Sequence, residues 1–253
     1  STIMLAGIRE VLIITTPKDI NKYKSLIGDG SKIGMKFSYI EQPSPDGLAQ
    51  AFILGEEFIG DENVCLILGD NVFYGGQLPR NLKDSVTEVE KNQKTVVFGY
   101  YVNDPERYGV IEFDPDGYPV SIEEKPTSPK SNYAISGLYF YPNDVIKVAK
   151  NQTPSERGEL EITDINKFYL DANRLKVKQM GRGYTWLDTG TYDSLLEASQ
   201  FVQTLEKRQG MKISCIEEIA FKMGYINSQE LFELGQSMKN NQYGQYLIKI
   251  ANL

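Results

Sequence analysis

The sequence predicts an α/β fold, a Rossmann-like and mostly parallel sheet flanked by helices, and three observations carry that reading. Apolar runs of strand length alternate with amphipathic helical stretches from residue 11 to residue 102, the rhythm of βα units. The run Val64-Cys-Leu-Ile-Leu68 is apolar throughout, as in a strand buried on both faces. It stops at Gly69-Asp70-Asn71, and in open α/β sheets ligands lie beyond the carboxyl ends of strands, so Asp70 stands where a site belongs. Turn chemistry closing a strand accounts for that tripeptide equally well on its own.

In chain order, residues 2–9 read as the end of a helix, followed at once by a strand over 11–16 that Pro17 stops. A short helix over 19–26 is broken by Gly28-Asp-Gly30, and 37–41 alternates as a strand. Gln42-Pro-Ser-Pro-Asp-Gly47 is a stiff, turn-rich loop running into a helix over 48–58. An amphipathic helix over 78–91 and a strand over 95–102 complete the alternating part. The rhythm then changes. Stretches 108–113 and 120–125 flank Asp114-Pro-Asp-Gly117 and read as a β-hairpin. A strand over 132–141 follows, then helices near 144–150 and 161–170, and a strand over 175–180 that leads to Tyr184-Thr-Trp-Leu-Asp-Thr-Gly190. Thr191 caps a long helix whose Leu195, Ala198, Val202 and Leu205 share a face. The tail from Ser214 reads as helical, anchored by Ile219, Phe232 and Leu247. With no internal repeat and no low-complexity linker, the economical division is a catalytic domain of residues 1–210 and a small helical appendage over 211–253.

Composition narrows the chemistry. The 253 residues include no histidine, which removes Ser-His-Asp and Cys-His nucleophiles and His-ligated zinc. What remains is carboxylates, Lys and Arg, backbone amides and a hard metal. That set suits reactions needing positioning and charge neutralisation, such as phosphoryl or nucleotidyl transfer. A formal charge of −7 without a basic block argues against a nucleic-acid partner. No apolar run approaches the roughly 18 residues of a membrane span. Two cysteines, Cys65 and Cys215, form no disulfide framework and point to a reducing cytoplasm.

Four stretches combine loop position with reactive side chains. Gln42 offers an amide that pairs with a base edge, and Gly47 permits close backbone approach. Asp70 and Asp188, 118 positions apart, each end an apolar stretch just before a helix. Two such carboxylates converging suit Mg²⁺, which takes one or two carboxylates plus substrate phosphates. Glu124 and Lys125 are fit for a sugar hydroxyl and an anionic phosphate respectively. Strand neighbours point to opposite faces, so both serve one ligand only if Pro126 forces irregular geometry.

Gln42-Pro-Ser-Pro-Asp-Gly-Leu-Ala-Gln50, Leu68-Gly-Asp-Asn71, Asp104-Pro-Glu-Arg-Tyr-Gly109, Glu123-Glu-Lys-Pro126, Arg157-Gly-Glu-Leu-Glu-Ile-Thr-Asp164 and Trp186-Leu-Asp-Thr-Gly190 run in order across the chain. Together they resemble the glucose-1-phosphate thymidylyltransferase family. The resemblance implies the nucleotide-diphospho-sugar transferase fold with a sugar-binding hairpin, and a homotetramer. It also implies condensation of dTTP with glucose 1-phosphate to dTDP-glucose and pyrophosphate, the first step toward dTDP-rhamnose. By position, Gln42 and Gly47 match the thymine loop, and Asp70 and Asp188 the Mg²⁺ ligands. Tyr108, Gly109, Glu124, Lys125, Ile135 and Tyr139 match the sugar-phosphate pocket, and Arg157 the arginine beside it. The family also carries a Gly-Gly-x-Gly-Thr-Arg loop and a lysine for the triphosphate, which have no counterpart here. The expectation is a preceding βα unit of roughly 30–40 residues. A metal-dependent glycosyltransferase and a non-catalytic nucleotide-sugar-binding subunit are the competing readings. A dehydrogenase is disfavoured, since no Gly-x-Gly-x-x-Gly opens a helix.

Overall fold

Ten strands form where the sequence is apolar or alternating: β1 (Glu10–Thr15), β2 (Lys36–Glu41), β3 (Val64–Ile67), β4 (Asn71–Gly75), β5 (Thr95–Tyr101), β6 (Gly109–Phe113), β7 (Pro119–Glu124), β8 (Tyr133–Tyr141), β9 (Leu175–Met180) and β10 (Tyr184–Asp188). The helices are α1 (Thr2–Leu5), α2 (Ile20–Ile27), α3 (Gln50–Leu54), α4 (Glu56–Ile59), α5 (Leu78–Asn92), α6 (Val145–Lys150), α7 (Ile162–Asp171), α8 (Tyr192–Gln209), α9 (Ile216–Lys222), α10 (Ser228–Ser237) and α11 (Gln242–Ala251). The computed structural model describes all 253 residues, which group into two units. One is Gln42–Ala198, the other Ser1–Glu41 with Ser199–Leu253. No helix is long and apolar enough to cross a membrane.

In the larger unit the sheet runs β7-β6-β8-β5-β9, with β3 also on β8. The α/β class with flanking helices holds, but the strand directions correct the expectation of a mostly parallel sheet. Only β5 and β9 pair in parallel here; β3, β5 and β6 all pair antiparallel to β8. The reason lies in β8. It inserts between β3 and β5 from far downstream, and all but the first of its nine residues are buried. Strands covered on both faces lose their polar alternation whatever their direction, so the apolar runs read as parallel. The hairpin is as expected, β6 pairing with β7 from Gly109 opposite Glu124 to Phe113 opposite Pro119.

Phe52, Val97, Ile111, Tyr141, Ile165 and Tyr169 build the core beneath that sheet. Phe52 meets Tyr141 edge-on, with ring centroids 5.2 Å apart. Helix α5 buries Leu78, Leu82, Ser85 and Val89 at helical spacing, and its charged face stays in solvent. The helix expected over 48–58 is interrupted at Gly55, where Glu56 and Glu57 begin α4 as favourable charges on its N-terminal dipole.

The chain does not end its strand at Gly69 for good. It resumes as β4, which pairs antiparallel with β10 in a separate ribbon. Gly75 is required there, because a Cβ would sit 2.5 Å from the Tyr184 ring.

In the smaller unit β1 and β2 pair in parallel, and α9, α10 and α11 share a core with residues from the first 41. Met4, Ile33 and Met35 pack with Cys215, Ala220, Leu231 and Leu247. Of the three expected anchors Leu247 is fully buried and Ile219 packs against the core, while Leu231 rather than Phe232 fills the centre. Asn227 and Glu230 form a reciprocal capping box that fixes where α10 starts.

Candidate active site

The β4–β10 ribbon sets the geometry. Asp188 ends β10 opposite Asn71, so Asp70, one residue before, is carried to the same end. The Thr189 amide and hydroxyl both donate to the Asp70 carbonyl, at 2.9 and 2.7 Å, and lock the two chain ends together. A Cβ on Gly190 would lie 3.1 Å from Asp188 Oδ1 and 3.7 Å from Asp70 Oδ2. Both predicted carboxylates therefore flank one point, kept open by a glycine. No third acidic, histidine or cysteine side chain joins them. The donor set is two carboxylates, oxygen only, as a hard divalent cation completed by substrate phosphates requires.

Asp70 and Asp188 stand on a cavity of about 190 Å³ within the larger unit. Its walls include the predicted Tyr108 and Gly109 at the start of β6, Glu124 and Lys125 at the end of β7, and Ile135 and Tyr139 on β8. Lys125 holds the left-handed backbone conformation at φ 42°, rare for a side chain of its kind. That is the irregular geometry needed for neighbouring Glu124 and Lys125 to share a cavity. The Lys125 amide still donates to the Tyr108 carbonyl at 3.0 Å, so the hairpin ladder continues past the twist. Glu124 accepts from the Thr163 hydroxyl on the first turn of α7. Burial raises the pKa of the Tyr108 and Tyr139 phenols, which stay neutral. Arg107 lies over the Tyr108 ring at 5.3 Å and binds Asp104 at 2.8 Å, an ion pair that holds its proton more firmly.

Three predicted residues lie off the cavity wall. Arg157 sits beside it, 4.0 Å from Glu124 Oε1, and is paired with Glu159 at 3.0 Å and Glu161 at 3.5 Å. Gln42 turns its Nε2 into its own loop, donating to Gln50 Oε1 at 2.7 Å. Gly47, at φ 103°, lets the backbone pass so close to Leu160 that a Cβ would stand 2.3 Å from its carbonyl oxygen. The close approach anticipated at Gly47 is thus made to this chain itself.

Sequence reasoning assigned no role to Asn71, Arg107, Thr163, Asn166 or Trp186, all of which line the cavity. Asn71 Oδ1 accepts from Trp186 Nε1 at 2.6 Å and from the Gly137 amide at 3.0 Å, while its Nδ2 donates to Asp70 Oδ1 at 2.8 Å. One amide ties β4, β8 and β10 together and orients the carboxylate. Thr163 and Asn166 stand at i and i+3 of α7, a spacing that reads in sequence only as core.

Residues 1–204 match the nucleotidyl transferase family. The glucose-1-phosphate thymidylyltransferase of Neisseria meningitidis serogroup A is 53% identical over 250 residues, covering 99% of this chain and 86% of that protein. The chain belongs to the glucose-1-phosphate thymidylyltransferase family. It is 48% identical to the family's Mycobacterium tuberculosis member over 250 residues, 99% of this chain and 85% of that one. Among solved structures, a Bacillus anthracis protein assigned to the same family, in complex with a sucrose, matches with TM-score 0.70 and 37% identity over 79% of this chain and 78% of that one. A UDP-glucose pyrophosphorylase complexed with UDP-glucose matches with TM-score 0.67 and 26% identity, over 81% and 84%. Membership in this family makes the chain a nucleotidyl-transferring enzyme and points to a divalent metal ion.

Proposed function

We propose that the enzyme condenses dTTP with α-D-glucose 1-phosphate to give dTDP-glucose and pyrophosphate, with Mg²⁺ held by Asp70 and Asp188. The observation that carries this reading is one cavity presenting both carboxylates at one place and Glu124 with Lys125 at another. The names of the thymidylyltransferase relatives support the choice of nucleotide and sugar.

A phosphate oxygen of glucose 1-phosphate attacks the α-phosphorus of dTTP in line. The bond from that phosphorus to the bridging oxygen breaks, and pyrophosphate leaves with its electron pair. The nucleophile is already anionic at neutral pH, so no general base is needed, and a chain without histidine is sufficient. Mg²⁺ supplies neutralisation of the phosphoryl oxygens when bound. Lys125 neutralises the sugar phosphate, and Glu124, oriented by Thr163, accepts from sugar hydroxyls. Tyr108, Gly109, Ile135 and Tyr139 shape the wall around the ring. Arg157 adds positive charge beside Glu124, and the Gln42–Gly47 loop takes the thymine.

The reading extends to a homotetramer in the cytoplasm that feeds dTDP-rhamnose synthesis. The free thiols of Cys65 and Cys215 suit that reducing compartment.

A pyrophosphate-release assay with dTTP and UTP, with and without Mg²⁺ and glucose 1-phosphate, tests the proposal. Release that needs both sugar and metal and is faster with dTTP is the expected result. Sugar transfer from preformed dTDP-glucose without pyrophosphate would make it a glycosyltransferase. Tight dTDP-glucose binding with no turnover would make it a binding subunit.

A further inference from the structure

We infer that the Asn166 carboxamide is a specificity-determining group that donates a hydrogen bond to one hydroxyl of the bound sugar; this rests on the substrate reading above. Asn166 is only 1% exposed, yet it lines the cavity. Its Oδ1 accepts from the Tyr141 hydroxyl at 2.6 Å. Its Nδ2 is buried and has no hydrogen-bond partner. Of the buried side-chain polar atoms without a partner, only this one belongs to a residue on the cavity wall. Buried donors are almost always satisfied, so an orphan on a residue of the cavity wall marks the place of an acceptor that arrives with a ligand.

The amide is also held in place. Tyr141 is fully buried between Phe52 and Tyr169, with ring centroids 5.2 and 5.8 Å away. Its hydroxyl fixes one end of the carboxamide and so aims the other. The acceptor's chemistry follows from the neighbours. One turn back on α7, Thr163 is committed to Glu124, the carboxylate assigned to sugar hydroxyls. The cationic groups suited to phosphate, Lys125 and Arg157, lie outside α7. A neutral donor beside Glu124 therefore suits a neutral hydroxyl, and a site built to hydrogen-bond a hydroxyl rejects analogues that lack it.

Calorimetry with dTDP-glucose and its four monodeoxy-hexose analogues tests this without requiring turnover. Asn166→Ala should weaken dTDP-glucose about tenfold. The same substitution should leave unchanged the affinity for one analogue only, the one whose missing hydroxyl Asn166 reads. Equal weakening for all five ligands, or no weakening for any, overturns the inference. If Asn166→Ala does not fold, Asn166→Ser, which keeps a polar group too short to reach, is read by the same pattern. Failure of the unsubstituted chain to bind dTDP-glucose overturns the substrate reading itself and the assignment with it, a result distinct from the flat pattern.

Discussion

The Trp186 indole donates to Asn71 Oδ1 at 2.6 Å, across a ribbon that also carries the two paired carboxylates. Trp186 is the chain's one tryptophan, so its fluorescence reports directly on this bond. Replacing Asn71 with Ala strands the indole and the Gly137 amide, and should cost about 1–3 kcal/mol of stability. Denaturant melts and the Trp186 emission maximum check it; unchanged values in both would show that the amide does not tie the strands.

Asp70→Asn and Asp188→Asn each keep shape while removing charge. Turnover should fall by about two orders of magnitude or more in each, with melting temperature little changed because both side chains border an open cavity. Near-normal Mg²⁺-supported pyrophosphate release in either variant would sink the metal assignment.

In the reading proposed above, Glu124 takes the sugar hydroxyls and Lys125 the phosphate. Glu124→Ala should blur discrimination among hexose 1-phosphates, whereas Lys125→Ala should weaken all of them to a similar degree. Steady-state KM values over a panel of epimers separate the two, and matching profiles would remove the division of labour.

Glu88 on α5 bonds to Lys176 Nζ on β9 at 2.6 Å and to Asn92 at 2.9 Å, and these bonds hold its carboxyl below the usual range. A depressed carboxyl stabilises the fold above its unfolded pKa of about 4.3, and that contribution fades as pH falls through the lower folded value. Glu88→Gln should therefore cost about 0.5–1 kcal/mol at neutral pH, a modest figure because Lys176 is half-exposed. The difference should vanish in strong acid. Urea melts across pH read this, and a gap that persists at low pH would point to packing instead.

Much of the candidate site's cavity lining was legible because its residues terminate elements whose periodicity is plain. Asp70 ends the apolar run of β3, and Glu124 and Lys125 close a hairpin announced by Asp114-Pro-Asp-Gly117. Strand direction was not legible, because β8 is buried on both faces and leaves no polar alternation to read. Nor was β4, whose existence depends on β10 pairing from more than a hundred residues away. Thr163 and Asn166 were hidden for a related reason. Buried polar residues on a helix look the same in sequence whether they satisfy the core or face a cavity.

Gly47→Ala combines a disfavoured left-handed backbone with a Cβ 2.3 Å from the Leu160 carbonyl. It should destabilise the protein by about 1–3 kcal/mol. Thermal melts and the affinity for dTDP-glucose should fall together; a tolerated alanine would mean that the loop is free to part from its neighbour.

That stitching joins two stretches given different tasks. The Leu160 amide donates to the Asp46 carbonyl at 2.7 Å, and the Ala49 amide donates to Leu160 at 3.2 Å. The segment bearing Gln42 and the segment bearing Arg157 are thereby bound like two pages to one spine. In the reading proposed above, the loop that takes the base and the stretch beside the sugar phosphate thus share two backbone hydrogen bonds, those of Leu160 with Asp46 and with Ala49.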